Sequence, residues 1–156
     1  MLISFKLNGN EVQVDSAPDR RVIDLLREDL GLTGTKESCG RGDCGACSIL
    51  IDGDQRLSCL MLAVQLEGRE MITIEGFSLQ EDRLSNVQQK FIELGAAQCG
   101  FCTPGMVISA TALLRVNPEP SRSEVRQAIS GNLCRCGAYQ KILDAIEAAS
   151  KEKTKL

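Results

Sequence analysis

Eight cysteines in two groups of four constrain this chain more than any other feature. Cys39, Cys44, Cys47 and Cys59 make the first group, and Cys99, Cys102, Cys134 and Cys136 the second. There is no histidine, so a metal site here is all-thiolate or borrows a carboxylate. The N-terminus, Met1-Leu2-Ile3-Ser4-Phe5-Lys6, lacks the basic region, apolar stretch and small-residue cleavage site of an export signal. Without such a signal, clustered short cysteine spacings favour metal over disulfides. Sites built from four thiolates narrow the choice to zinc or iron–sulfur.

The remaining composition agrees with a small metal-stitched protein. A chain of 156 residues suits one domain or two small ones. Only 3% of residues are aromatic and there is no Trp, so the core is modest and a bound group would help hold it. The net charge of −3 argues against a nucleic-acid surface, which would carry a basic stripe. The apolar run Met106 to Leu114 is broken by Ser109 and Thr111 and falls short of the roughly 18 residues of a membrane span. A soluble, cytoplasmic protein with no nucleic-acid or membrane partner is expected.

Read in order, the chain changes period half-way. Ile3 to Leu7 and Glu11 to Val14 alternate about an Asn8-Gly9 turn, which predicts a hairpin. Pro18-Asp19 opens a helix with Val22, Ile23, Leu25, Leu26 and Leu30 on one broad face, and Gly31 ends it. Residues 34–47 are a glycine-rich cysteine loop. Ser48 to Ile51 is a short apolar strand, Asp52-Gly53 a second hairpin turn, and the return strand runs toward Cys59. Met71 to Ile74 reads as a further strand. Residues 77–84 are polar and patternless, which predicts a linker between a unit over 1–76 and a helical unit over 85–156. Ser85 and Ser121 each begin a capping box, with Gln88 and Glu124 three residues on. Thr103 is placed to cap a helix with Pro104 at its first position, running to about Asn117. The last helix follows Gly137, with Ile142, Ala145, Ile146 and Ala149 at core spacing. Lys151 to Leu156 are expected to fray as a charged tail.

The first cysteine group has the Cys-x4-Cys-x2-Cys spacing of plant-type ferredoxins, which hold a [2Fe–2S] cluster. Cys59 is the candidate fourth ligand, although in ordinary plant-type ferredoxins that residue lies much further along. Gly40, Gly42 and Gly45 suit a loop that must wrap a cluster, reach φ > 0 and bring backbone N–H groups close to sulfur. Zinc is the alternative, but zinc sites more often pair two CxxC knuckles, and here one pair is so spaced.

In the second group Cys99 and Cys102 flank one turn. Cys134 and Cys136 are two apart, so an extended segment would point both thiols the same way. Both pairs precede a helix N-terminus, where free N–H groups and the positive dipole end favour thiolate and cluster charge. Arg41 and Arg135 lie beside these cysteines. They either raise cluster potentials by their charge or face solvent and a partner.

The segments Cys-Gly-Arg-Gly-Asp-Cys-Gly-Ala-Cys, Gln-Cys-Gly-Phe-Cys-Thr-Pro-Gly and Gly-Asn-Leu-Cys-Arg-Cys-Gly, in that order, resemble the small iron–sulfur subunit of the molybdenum hydroxylases. This family includes xanthine dehydrogenase, aldehyde oxidoreductase and carbon monoxide dehydrogenase. The resemblance covers essentially residues 1–150. It implies an α+β fold: a β-grasp ferredoxin domain followed by a four-helix-bundle [2Fe–2S] domain. It implies that Cys39, Cys44, Cys47 and Cys59 hold the cluster nearer the flavin. It implies that Cys99, Cys102, Cys134 and Cys136 hold the cluster nearer molybdenum. It further implies that Gln98 hydrogen-bonds a molybdopterin, as its cytosine dinucleotide, and that Cys136 lies against it. Molybdopterin and FAD would sit on a large and a medium partner subunit, in a heterotrimer or a dimer of heterotrimers. One departure is Ala138, where many relatives carry Thr. Within the resemblance the chain is an electron relay that is not catalytic alone, with purines or N-heterocycles favoured over aldehydes and carbon monoxide as substrates. A free-standing two-cluster carrier and a zinc-stabilised adaptor are the rival readings.

Overall fold

The computed structural model describes residues 1–78 and 83–152 of the chain. Strands β1 (Leu2–Leu7) and β2 (Asn10–Asp15) pair antiparallel, with Ile3 opposite Val14 and Phe5 opposite Val12. Between them Asn8 and Gly9 both take positive φ, 49° and 86°, as a two-residue hairpin of this hand requires. The same geometry recurs at Asp52 and Gly53, which join β3 (Ser48–Ile51) to β4 (Asp54–Leu57). The short strand β5 (Glu70–Ile72) lies between the two hairpins, parallel to β1 and antiparallel to β3. The sheet order is therefore β2-β1-β5-β3-β4. The strand expected over Met71 to Ile74 stops at Ile72, and Ile74–Ser78 winds into a 3-10 turn. A second 3-10 turn, Ala63–Leu66, has no counterpart in the sequence pattern.

The helix across the sheet is shorter and less regular than its periodicity predicts. Its α-helical part, α1, spans Val22–Asp24, and a π-turn over Leu25–Asp29 completes it. Pro18-Asp19 does not open it, because the chain before Val22 is tied elsewhere. The Arg20 carbonyl accepts from Ala63 N–H (2.7 Å), Val22 N–H donates to Met61 O (2.8 Å), and Arg21 bridges Leu62. Those bonds hold residues 20–22 extended against the segment that follows Cys59. Burial is as expected: Val22, Leu25 and Leu26 pack with Ile3, Phe5 and Ile49 in the sheet-side core.

The second half is helical. α2 (Asn86–Glu93), α3 (Thr103–Val116), α4 (Arg122–Ala128) and α5 (Tyr139–Lys151) form a four-helix unit around Val87, Phe91, Met106, Ile142 and Ile146. Both capping boxes are present: Ser85 with Gln88 and Ser121 with Glu124 each exchange two hydrogen bonds. Each cap satisfies two N–H groups that the helix itself leaves unpaired. Of the stretch expected as linker, 79–82 lie outside the described residues, as do 153–156 of the expected tail. Phe77 packs against the helical core.

Helix α3 joins the two halves. Gly105 to Ala110 are six consecutive buried residues, so this helix is covered all round rather than along one stripe. One side belongs to the helical core, and the other packs against β3 and β4. β3 is likewise buried at every position. The first part of the apolar run, Met106 to Ala110, is thus buried between the two cores. No helix among the described residues is long and apolar enough to cross a membrane. The α+β architecture, a ferredoxin-type sheet unit followed by a helical bundle, is the one the sequence predicts.

Candidate metal centres

The loop before β3 builds the first cysteine group. Gly40, Gly42 and Gly45 all have positive φ, 63°, 88° and 71°. These turns aim backbone donors at sulfur: Arg41 N–H and Asp43 N–H lie 3.5 and 3.3 Å from Cys39 Sγ. Glu37 anchors the start of the loop through Arg21, which also pairs with Asp24. Cys59 is carried in by the bridge to α1 and its preceding residues. Ile23 N–H donates to Ser58 O (3.2 Å), and Ser58 Oγ donates to the Cys47 carbonyl (2.8 Å). Cys47 and Cys59 are buried together against Ile23. The loop thus brings all four thiols of the first group to one place, as neighbouring pairs Cys39 with Cys44 and Cys47 with Cys59.

The second group gathers at the start of α3 and at the turn before α5. Cys102 occupies the N-cap position of α3 in helical geometry, so Thr103 is its first helical residue and Pro104 its second. The expected Thr103 cap is not made. Its hydroxyl is buried and has no hydrogen-bond partner among the described residues. Cys134 and Cys136 are not in an extended segment either. They sit in a turn closed by Gly137 N–H on Cys134 O (3.3 Å), with Gly137 at φ 75°. The turn is pinned by Tyr139, whose hydroxyl oxygen accepts from Cys134 N–H (2.7 Å). Cys136 thereby meets Cys99 and Cys134 meets Cys102. The four thiols come together, but paired across the two segments.

Electrostatics differ sharply within each group. The Arg41 N–H leads the groups that lower the Cys39 thiol to about 6; burial opposes it, and Asp43 N–H adds to the lowering. Burial and then the Cys47 thiol push Cys59 up to about 12. In the second group burial and the Cys134 thiol likewise raise Cys102 to about 12. Cys99 is lowered, chiefly by Phe101 N–H and then by the Cys136 thiol. For Cys134 burial is the largest single influence and raises it, but N–H groups of Ala138, Gly137 and Cys136 with the Cys102 thiol bring it below the ordinary value. Adjacent thiolates disfavour one another, so a positive centre among them would favour the charged set.

The chemistry of this donor set fits a [2Fe–2S] cluster. Each iron of such a cluster takes two of four thiolates, and the thiols here lie in adjacent pairs.

The two groups face different surroundings. Cys44, Cys47 and Cys59 are buried and Cys39 half-buried, whereas Cys99 and Cys136 are exposed. Gln98 is exposed beside them, with no partner for its side chain among the described residues. Phe101 and Leu133 are exposed nearby in the chain, at 45% and 58%. Arg41 is exposed and paired with Asp43 (2.6 Å), and Arg135 is exposed. Ala138 is buried at the N-cap of α5, where it makes no side-chain cap. Sequence reasoning passed over Tyr139 and Asn132. Tyr139 is the single tyrosine of the chain, and its place three residues after a CxC pair was the available signal.

Residues 5–71 match the 2Fe-2S iron-sulfur cluster binding domain family, and residues 73–147 the [2Fe-2S] binding domain family. The small FeS subunit of nicotinate dehydrogenase from Eubacterium barkeri is 48% identical over 147 residues, covering 94% of this chain and 93% of that subunit. The chain belongs to the small iron–sulfur subunits of the molybdenum hydroxylase family. Its fold superposes on a chain of quinoline 2-oxidoreductase from Pseudomonas putida 86 with a TM-score of 0.93, at 49% identity, covering 96% of this chain and 93% of that one. The aldehyde oxidoreductase from Desulfovibrio gigas gives a TM-score of 0.91 at 37% identity. That likeness covers 96% of this chain and 17% of the longer polypeptide. As a member of this family the chain is an electron-transfer [2Fe–2S] subunit of an oxidoreductase.

Proposed function

We propose that this iron–sulfur subunit relays electrons one at a time from a molybdopterin centre on a large partner subunit to FAD on a medium one. The ligands of the first [2Fe–2S] cluster are Cys39, Cys44, Cys47 and Cys59, and those of the second Cys99, Cys102, Cys134 and Cys136. The observation that carries this assignment is that each group is gathered by its own loops: Cys47 is buried beside Cys59 below the loop whose N–H groups face Cys39, and Cys134 packs in one cluster with Cys102 at the start of α3. The clusters supply one-electron redox chemistry when bound.

The chain's own residues orient and insulate. Backbone N–H groups of Arg41 and Asp43 stabilise negative charge on Cys39. Burial of Cys44, Cys47 and Cys59 would keep water away from a cluster held there. The second group opens to the surface at Cys99 and Cys136, and this exposure favours it as the side that docks on the molybdopterin, with Gln98 free to donate and accept at the pterin edge. The names of two relatives, nicotinate dehydrogenase and quinoline 2-oxidoreductase, support an N-heteroaromatic substrate for the assembled cytoplasmic enzyme. The boundary between a sheet unit over 1–76 and a helical unit over 85–156 belongs to the same reading.

The test is Cys136→Ala in the assembled enzyme. The wild type should contain about four iron atoms and about four acid-labile sulfides per chain. The variant should lose the paramagnetic signal of the second cluster and substrate turnover while keeping the signal of the first. Unchanged turnover sinks the relay, and a colourless wild-type protein containing zinc sinks the ligand assignment.

A further inference from the structure

A closed network of polar groups, buried at Ser48, Ser109 and Asn132 and half-buried at Gln55, ties the two cysteine groups together. Asn132, 3% exposed, lies two residues before Cys134. Its Nδ2 donates to the Gly45 carbonyl (3.2 Å), in the loop between Cys44 and Cys47. Its Oδ1 accepts from Ser109 Oγ in the middle of α3 (2.7 Å). The side chain of Gln55, on β4, donates one N–H to Ser109 Oγ (2.8 Å) and the other to Ser48 Oγ (2.9 Å). Ser48 Oγ donates back to Gly45 O (2.8 Å). Next to Asn132 the backbone makes its own crossing, with Leu133 N–H on the Cys44 carbonyl (2.9 Å). Neighbours on both sides of this contact are glycines for lack of room. A Cβ on Gly45 would collide with the Gly131 carbonyl, and one on Gly105 with the Gly45 carbonyl.

We infer that Asn132 is a positioning residue for electron passage between the clusters: it holds the Leu133 N–H on the Cys44 carbonyl and so fixes the spacing of the two ligand loops. This rests on the ligand assignment proposed above. A purely structural need does not account for Asn132. Gly45 O already accepts from Ser48 N–H and Ser48 Oγ, and Ser109 has the Gly105 carbonyl as an alternative acceptor (3.0 Å). Removing the Asn132 amide therefore orphans no buried polar atom, which is where most of the penalty of breaking such a network arises. What is lost is the cross-link itself, between the turn that carries Cys134 and the loop that carries Cys44 and Cys47. A fully satisfied buried network gives a unique geometry rather than a large stability gain.

The experiment uses Asn132→Ala and Gln55→Ala in the assembled enzyme. These variants cut the network at two separate points. Iron and sulfide content and the individual cluster signals should match wild type. With both clusters reduced, the magnetic splitting between them should shrink, and their electron equilibration after flash reduction should slow several-fold in Asn132→Ala and less in Gln55→Ala. Unfolding midpoint is measured alongside. A variant with a lowered midpoint but wild-type splitting and equilibration overturns the inference, because a merely structural residue would behave that way. If Asn132→Ala fails to fold, Gln55→Ala decides: wild-type splitting there overturns the inference, and reduced splitting supports it. Absence of two iron–sulfur signals in the wild type overturns instead the ligand assignment.

Discussion

Thr103 follows a cysteine of the second group, and its hydroxyl is sealed in the protein with no partner among the described residues. A Thr before a Pro ahead of an apolar run reads as an N-cap, and that inference fails here for a local reason. Thr103 N–H already turns back on Gly100 O (3.3 Å), which moves the helix start one residue upstream and puts Cys102 in the cap position. A buried hydroxyl without a partner costs about 1–3 kcal/mol. In the cluster-free chain Thr103→Val, which keeps the shape and removes the oxygen, should leave stability unchanged or raise it by about 1 kcal/mol. A urea titration measures this, and a clear loss of stability would mean the hydroxyl has a partner after all. Residue types and spacing made the two cysteine groups legible, because cysteines at four- and two-residue gaps among glycines rarely arise from core packing alone. Tyr139, three residues after the CxC pair, and Asn132, inside the Gly-Asn-Leu-Cys-Arg-Cys-Gly segment, were visible as neighbours of cysteines but not in their roles. Each acts through a hydrogen bond to a backbone atom of a cysteine loop, and for Asn132 that atom is far along the chain, at Gly45. Local pattern carries no trace of the Asn132 contact.

At the scale of elements, hairpins and capping boxes were readable because their signals are short-range. Asn8-Gly9 and Asp52-Gly53 need positive φ, and Ser85 and Ser121 need only a partner three residues on. Elements shaped by distant partners departed from expectation. The first helix begins late because residues 20–22 are bonded to the Cys59 side of the chain, and the CxC segment turns because Tyr139 reaches Cys134 N–H. α3 poses the sharpest conflict between local and tertiary preference. Gly105 lies in its first turn, where helix propensity alone would favour Ala by about 1 kcal/mol. Against this, a methyl there meets the Gly45 carbonyl, a backbone atom that cannot swing away. Overpacking of this kind costs about 1–3 kcal/mol. Gly105→Ala should therefore lower the stability of the chain despite the propensity gain, as thermal unfolding would record. A rise in midpoint would show that the helix and the cysteine loop can separate at little cost.

For the molecule as a whole, the two cores are modest and the cysteine loops lie at the seam between them. Gly45, Asn132 and the start of α3 meet behind both groups, so the proposed clusters would close the loops from outside while the polar network closes them from within. Without iron, burial favours the protonated thiols of Cys59 and Cys102, which pack as small apolar groups, while the half-buried Cys39 keeps the N–H groups of Arg41 and Asp43. The sheet-side centre around Ile3, Phe5 and Ile49 contains no cysteine, and in the helical one Cys134 and Cys102 lie beside a larger apolar set that includes Phe91, Ile142 and Ile146. Binding free energy for a metal group is expressed as order in the segments that ligate it. Stripping the clusters should accordingly loosen the seam before either core. Amide exchange at Leu133, whose N–H spans the seam to Cys44 O, should quicken on the order of tenfold in the cluster-free protein, while Ile146 in α5 and Leu50 in β3 keep their protection. Equal protection at Leu133 with and without clusters would place the strength of the seam in the polar network alone. Collapse of protection throughout would instead make the clusters a condition for folding either half.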